Sequence, residues 1–167
     1  MTDRTSLFRR FIRIVVLGWI VVWGVSGLAM TMPANAAPAG PAGLDLAKYL
    51  GKVVMLDFWA SWCAPCKQAF PYMSALTRQY AARDLVVITV NAERQRAPGE
   101  AFLHQVKSIL PVVWDADASL VKTWQVNELP ATILIDRKGK ERFRHTGFFP
   151  AKTPEYTAQI DSLVNEH

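Results

Sequence analysis

Val53-Val54-Met55-Leu56-Asp57-Phe58-Trp59-Ala60-Ser61-Trp62-Cys63-Ala64-Pro65-Cys66-Lys67 decides the fold, because a strand gives way to a helix at a pair of cysteines. Lys52–Trp59 is a β-rich apolar run. It is too continuous for a strand with one wet face, so it predicts a central strand buried on both sides. From Cys63 to about Ala82 the positions Phe70, Met73, Leu76, Thr77 and Tyr80 recur at helical spacing. Pro71 inside that stretch predicts a kink.

Cys63 and Cys66 are the only cysteines among the 167 residues, so neither can join a wider disulfide framework or a four-cysteine zinc site. A dithiol at this spacing can close, reopen and hand two electrons to another disulfide. A static staple is the competing reading, but so short a loop constrains the unfolded chain little. A thiol attacks as thiolate, and Cys63 falls where a helix N-terminus offers unpaired N–H groups and partial positive charge. Pro65 suits the first turn, where its missing N–H has no helical partner. Cys66, one turn further in, is the less exposed of the two and suits a resolving thiol. Ala64-Pro65 holds no histidine or cation to stabilise the thiolate further, which favours a reductant over a strong oxidant.

Outward from this centre, strands and helices alternate. Leu85–Val90 reads as a second buried strand and Val112–Trp114 as a short one. Pro98-Gly99-Glu100 opens a helix over Ala101–Leu110, and Asp117 caps another running to about Trp124. Thr132–Asp136 and Lys140–Thr146 flank a hairpin turn at Arg137-Lys138-Gly139. Thr153, followed by Pro154, starts a terminal helix. Together these make an α/β sandwich.

The N-terminus is of another kind. Arg4, Arg9, Arg10 and Arg13 face one acid, Asp3, and no charged residue follows until Asp45. Ile14–Met30 is almost wholly apolar, and Ala34-Asn35-Ala36 is a small-x-small cleavage pattern before Ala37. Residues 1–36 therefore read as a signal peptide, or as a retained membrane anchor, since 17 apolar residues approach a bilayer's span. Residues 37–45 read as a linker and 46–165 as the domain. Either way the cysteines lie outside the cytoplasm, in the periplasm or anchored to the inner membrane facing it. The net charge of +5 comes mostly from this segment. Without it the balance is +2, which gives no reason to propose a nucleic-acid partner.

Asp57-Phe58-Trp59-Ala60-Ser61-Trp62-Cys63-Ala64-Pro65-Cys66-Lys67 resembles the active-site segment of thioredoxins. Pro71 matches their helix-kinking proline, and Asn127-Glu128-Leu129-Pro130-Ala131-Thr132 the loop that carries their cis-proline. The N-terminal segment, a helical insertion near residues 100–110 and Leu134-Ile135-Asp136-Arg137-Lys138-Gly139-Lys140 are similar to the exported TlpA/ResA/CcmG-like thiol-disulfide oxidoreductases. The likeness covers about residues 46–165.

That resemblance implies a thioredoxin fold, a central mixed sheet flanked by helices, with Cys63 and Cys66 as the catalytic redox disulfide. It implies that Asp57, the one acid in its strand, lies buried behind the dithiol and assists proton transfer. Burial raises a carboxyl's pKa and makes it a usable base; a strand-end carboxylate reaching solvent is the alternative. A cis Pro130 would hold the Leu129 backbone towards the cysteines, where an extended substrate can pair with it. Trp62 belongs to an exposed apolar rim that binds substrate, and Trp59 to the core. Many of these relatives carry a glutamate three residues after the second cysteine, where this chain has Ala69. Glu128 is either a partial replacement or a solvated loop acid.

His104 and His145 read as solitary, structural or solvated residues, and no metal or other cofactor is expected. Ala60 argues against a peroxiredoxin, whose reactive cysteine follows a threonine by three residues. The implied function is reduction of disulfides in exported proteins, with apocytochrome c or copper-site proteins as candidates. Electrons would come from a membrane thiol donor of the DsbD/CcdA type. A thiol oxidase or isomerase and a non-catalytic assembly factor are the competing functions.

Overall fold

The computed structural model describes residues 44–166. The signal-or-anchor reading of residues 1–36 and most of the linker lie outside the described residues. Among those described, no helix is long and apolar enough to cross a membrane.

Five strands form one mixed sheet in the order β3-β2-β1-β4-β5. β1 (Val53–Trp59) runs parallel to β2 (Leu85–Asn91), which runs parallel to β3 (Val112–Trp114). On its other side β1 pairs antiparallel with β4 (Ala131–Ile135), and β4 with β5 (Glu141–Thr146). β1 is thus the central strand, and all seven of its residues are buried. An apolar strand with no wet face requires this position.

Alternation along the strands separates two core layers. Val53, Met55 and Trp59 on β1, Val87 on β2 and Leu134 on β4 face three helices. These are α1 (Ala64–Gln79), α2 (Arg96–Val106) and α4 (Thr153–Asn165), which contribute Phe70 and Met73, Phe102, and Ile160 and Leu163. Val54, Leu56 and Phe58, with Ile88, Val90 and Ile133, face the other way, onto Leu44 and onto Leu120 of α3 (Ser119–Thr123). Asp57 falls in the first row, between Met55 and Trp59.

Two helix starts differ from the sequence reading. α2 begins at Arg96, so Pro98 lies within its first turn instead of ahead of it, at a place where a missing N–H costs nothing. The helix ends at Val106, with Lys107 left-handed at φ 51°. Gly99 is buried on this helix, and a Cβ there would stand 2.7 Å from the Trp114 ring. The glycine is what allows α2 to lie against β3. At α3 the principal cap is Asp115, not Asp117. Asp115 is buried and accepts from the N–H groups of Leu120 at 3.0 Å and Val121 at 2.9 Å. Asp117 takes only the Ser119 N–H. A left-handed turn at Ala118 (φ 57°) brings the earlier acid round to the helix start.

The hairpin turn lies at 137–139, as its sequence suggests. Asp136 accepts from the N–H groups of Lys138 and Lys140, and Gly139 takes φ 79°. α4 opens at Thr153-Pro154.

Candidate active site

Cys63 is the N-cap of α1, with extended backbone (φ −85°, ψ 102°). Its sulfur accepts the Cys66 N–H at 3.2 Å, one of the groups that a helix start leaves unpaired. The two sulfurs form a disulfide, S–S 2.00 Å with the Cα atoms 5.3 Å apart, so the structure is that of the oxidised protein. Cys63 is 5% exposed and Cys66 0%, while Ala64 and Pro65 between them are exposed. Pro65 sits in the first turn, and Pro71, further along α1, leaves the Lys67 carbonyl without a helical donor.

The turn leading into Cys63 is clamped by a residue that the sequence reading did not single out. Glu93, just beyond β2, accepts the Ser61 N–H at 2.9 Å and the Ser61 hydroxyl at 2.7 Å. Buried Asn91 donates to the same carboxylate at 2.9 Å. Burial works against the Glu93 charge, but the hydrogen bonds from Asn91 and Ser61 outweigh it and hold its pKa below the usual carboxylate value. Trp59 is fully buried, stacked on Phe102 and edge-on to Phe70. Trp62, three residues on, is 73% exposed.

Asp57 is 1% exposed and does not reach solvent. Burial is the dominant influence on it and pushes its pKa up to about 7. The Thr132 hydroxyl, donating to Oδ2 at 2.6 Å, works in the opposite direction. The other oxygen, Oδ1, is buried without a hydrogen-bond partner. Asp57 shares a sheet face with Met55 and Trp59, and Cys66 and Ala69 of α1 pack against that face. Ala69, where many relatives carry glutamate, lines a small cavity together with Asp57.

The Leu129–Pro130 peptide is cis. Leu129 is half-buried and packs against the core layer that contains both cysteines. Pro130 is buried, and its carbonyl accepts the Gly147 N–H at 2.8 Å. Glu128, one residue earlier, is exposed, as is His104 on α2. His145 is not solitary. Its Nε2 lies 2.6 Å from Gln159 Oε1, its ring centroid 4.6 Å from that of Tyr156, and it borders the same cavity as Asp57. No local motif marks His145, and Thr132 stands at the end of the Asn127–Thr132 loop segment with no role of its own read from it. Only the pairing register of β1, β4 and β5 brings them to Asp57.

A sulfur at a helix start, a second one fully buried in the same core layer and an acid near neutrality suit thiol–disulfide exchange. The Redoxin family model matches residues 28–160. The thiol-disulfide oxidoreductases ResA of Bacillus thuringiensis subsp. konkukian and Bacillus subtilis are 34% and 33% identical over 97 residues. Both alignments cover 58% of this chain, and 56% and 54% of those proteins. The chain thus spans little more than half the length of the curated relatives it matches. Among solved structures, a Chlorobium tepidum protein assigned as thiol:disulfide interchange protein DsbE aligns at TM-score 0.71 and 36% identity. That match covers 73% of this chain and 86% of the other. The exposed lipoprotein thioredoxin Etrx1 of Streptococcus pneumoniae aligns at TM-score 0.60 and 29% identity, over 70% of this chain and 90% of its own.

Proposed function

The chain belongs to the Redoxin family, in the TlpA/ResA/CcmG-like branch of the thioredoxin superfamily, and from that premise we propose that it is an exported thiol-disulfide oxidoreductase acting as a reductant. The observation that carries the dithiol-exchange reading is the Cys63 sulfur accepting the Cys66 N–H at the start of α1; the reducing direction rests on Ala64-Pro65, which adds no cation to stabilise the reduced form further. In the reduced protein the same N–H and the helix dipole would favour a thiolate at Cys63 over one at Cys66.

In the proposed cycle the Cys63 thiolate attacks a client disulfide, and one client thiolate leaves and takes a proton from water. Cys66 gives its proton to the Asp57 carboxylate and attacks Cys63 Sγ. The Cys63–Cys66 disulfide forms, the second client thiolate leaves, and two electrons have passed to the client. Trp62 and the Leu129–Pro130 backbone are the surfaces proposed to hold the client, as an extended segment pairing with exposed main-chain groups. Regeneration requires two electrons from outside, for which a membrane thiol donor of the DsbD/CcdA type is proposed. Apocytochrome c and copper-site proteins are the proposed clients. The arginine-rich, then apolar, N-terminal sequence supports export to the periplasm or anchoring facing it. Sequencing the mature N-terminus tests this: Ala37 indicates cleavage and Met1 or Thr2 retention.

The deciding experiment is the reduction potential of the Cys63–Cys66 couple. A value near about −270 mV supports a reductant and one near about −120 mV an oxidant. Cys66→Ser, expressed in the source cell and quenched with acid, should hold clients on Cys63 as mixed disulfides. Full function after both cysteines become serine would instead mean a non-catalytic assembly factor.

A further inference from the structure

In the proposed dithiol cycle, on which any proton route from the site depends, Asp57 takes the Cys66 proton and must then release it from a place 1% exposed to solvent. Its strand neighbours on that face, Met55 and Trp59, are apolar and buried. A route exists in another direction. Asp57 on β1 stands opposite Thr132 on β4, and Thr132 stands opposite His145 on β5. Directly opposed residues of antiparallel strands project from one face. The three side chains therefore form a row from the central strand to the sheet edge, the last of them half-buried.

A cavity of ≈ 20 Å³ is bordered by all three, with Ala69 and Tyr72 of α1 and Tyr156 of α4 among its other walls. That is room for one water; the walls are mostly apolar but include the side chains of Asp57, Thr132, His145, Tyr72 and Tyr156. Asp57 borders this cavity, and its Oδ1 is buried without a partner among the described residues. Thr132 holds Oδ2, so Oδ1 is the oxygen free to exchange a proton. At the other end, Gln159 Oε1 can only accept, so the His145 Nε2 that it meets carries the hydrogen and Nδ1 is left to take one.

We propose that His145 is the proton outlet of the buried site. One water in the cavity passes the proton between Asp57 Oδ1 and the His145 ring, which exchanges it with solvent. When Cys66 is deprotonated one proton leaves by this row, and when the disulfide is reduced one returns; no electrons move along it. An imidazole suits the task because its ring nitrogens can both give up and take up a proton. The other titratable groups facing the cavity are Tyr72 and Tyr156. Burial raises the Tyr72 pKa further above neutrality, and its hydroxyl is engaged with Thr157 Oγ1 at 3.0 Å. On the β2 side Asp57 meets Thr89, which is uncharged, and α1 contributes Cys66 to the same layer. His145 acts through Asp57 and so is a positioning residue for the exchange, not a catalytic one.

The test follows oxidation of the full-length reduced chain by oxidised glutathione across about pH 6 to 9, with formation and resolution of the mixed disulfide timed separately. His145→Gln should slow resolution roughly tenfold, part of what a general base contributes. Ala69→Val, which fills the cavity, should do the same without touching a titratable group. Formation of the mixed disulfide should be unchanged in both. Added imidazole should restore His145→Ala but not Ala69→Val. The double variant Asp57→Asn/His145→Gln should be no slower than Asp57→Asn alone. A His145→Gln profile that superimposes on wild type, while Asp57→Asn is slowed, overturns the outlet and leaves Asp57 as the base. An unslowed Asp57→Asn overturns both, and a wild-type chain that forms no mixed disulfide removes the dithiol reading itself.

Discussion

The Thr132 hydroxyl meets Asp57 Oδ2 at 2.6 Å, the sole hydrogen bond among the described residues to a carboxyl that is otherwise sealed in the core. One such bond does not offset burial, and the Asp57 pKa stays near 7, against 3.8 for a free aspartate. The folded state therefore holds this proton more tightly than the unfolded chain does. Below about pH 4 both states are protonated and Asp57 contributes no difference. Between there and about pH 7 stability falls as pH rises, by about 1.4 kcal/mol per unit and about 4 kcal/mol in all. Above that both states are ionised and the loss is constant. Urea unfolding of oxidised protein should show Asp57→Asn more stable than wild type at pH 8, with the gap closing towards pH 4. A gap of constant size would mean that Asp57 is not protonated in the folded state at mildly acidic pH.

Thr132→Val keeps the side-chain volume and removes that bond, leaving both carboxyl oxygens unpaired. Stability at pH 8 should drop by about 1–3 kcal/mol, the cost of an unsatisfied buried acceptor, and by less at pH 5, where Asp57 is neutral. Titration of the Asp57 carboxyl by carbon NMR should move upward from wild type. A downward move would show that the hydroxyl donates elsewhere.

In the reduced protein Cys63 should be alkylated well before Cys66 at mildly acidic pH. Its sulfur accepts a helix N–H, whereas Cys66 is fully buried. Mass spectrometry of a timed iodoacetamide reaction reads the order directly. Equal or reversed rates would reassign the nucleophile.

Gly99→Ala probes the fold apart from the chemistry. The new Cβ would stand 2.7 Å from the Trp114 ring and 3.0 Å from Asn91 Nδ2, so α2 or the indole must shift. Overpacking of this kind costs about 1–3 kcal/mol. The melting temperature should fall while the reduction potential holds. A changed potential would mean that the α2–β3 contact reaches the dithiol, by way of Asn91 and Glu93.

Much of the architecture was legible because single elements carry it. β1 announces a central strand by its unbroken apolar run, and Cys63-Ala64-Pro65-Cys66 announces a helix start by its proline. What was not legible depends on pairing. Pro98 reads as a residue ahead of a helix, yet the first turn tolerates it, which shifted α2 by several residues. Asp117 has the better local spacing for a cap, but the left-handed Ala118 hands the role to Asp115. His145 looks alone in sequence because its neighbours come from β1, β4 and α4. Sheet register cannot be read from periodicity within one strand. The inward alternation of Phe143 and His145 on β5 was the one available signal.

Glu93 is the residue whose role the sequence hid most completely, and its replacement separates two effects. Glu93→Ala removes the acceptor for the Ser61 N–H, the Ser61 hydroxyl and Asn91 Nδ2, and Asn91 is fully buried. Leaving that amide unpaired should destabilise the protein by about 2–3 kcal/mol. Glu93→Gln removes the charge and keeps one acceptor oxygen for the Ser61 N–H and Asn91 Nδ2; its NH2 takes the place of Oε1, where the Ser61 hydroxyl can turn to accept from it. The carboxylate grips the turn two residues before Cys63, so it opposes a thiolate there. Neutralising it should lower the Cys63 pKa, read from thiolate absorbance in the reduced protein. A lower thiol pKa stabilises the reduced form, so the couple should become slightly more oxidising. If Glu93→Gln leaves the thiolate titration unchanged and Glu93→Ala still loses stability, Glu93 is a mechanical clamp only. If both variants shift the titration equally, the charge alone sets the effect and the geometry of the turn does not.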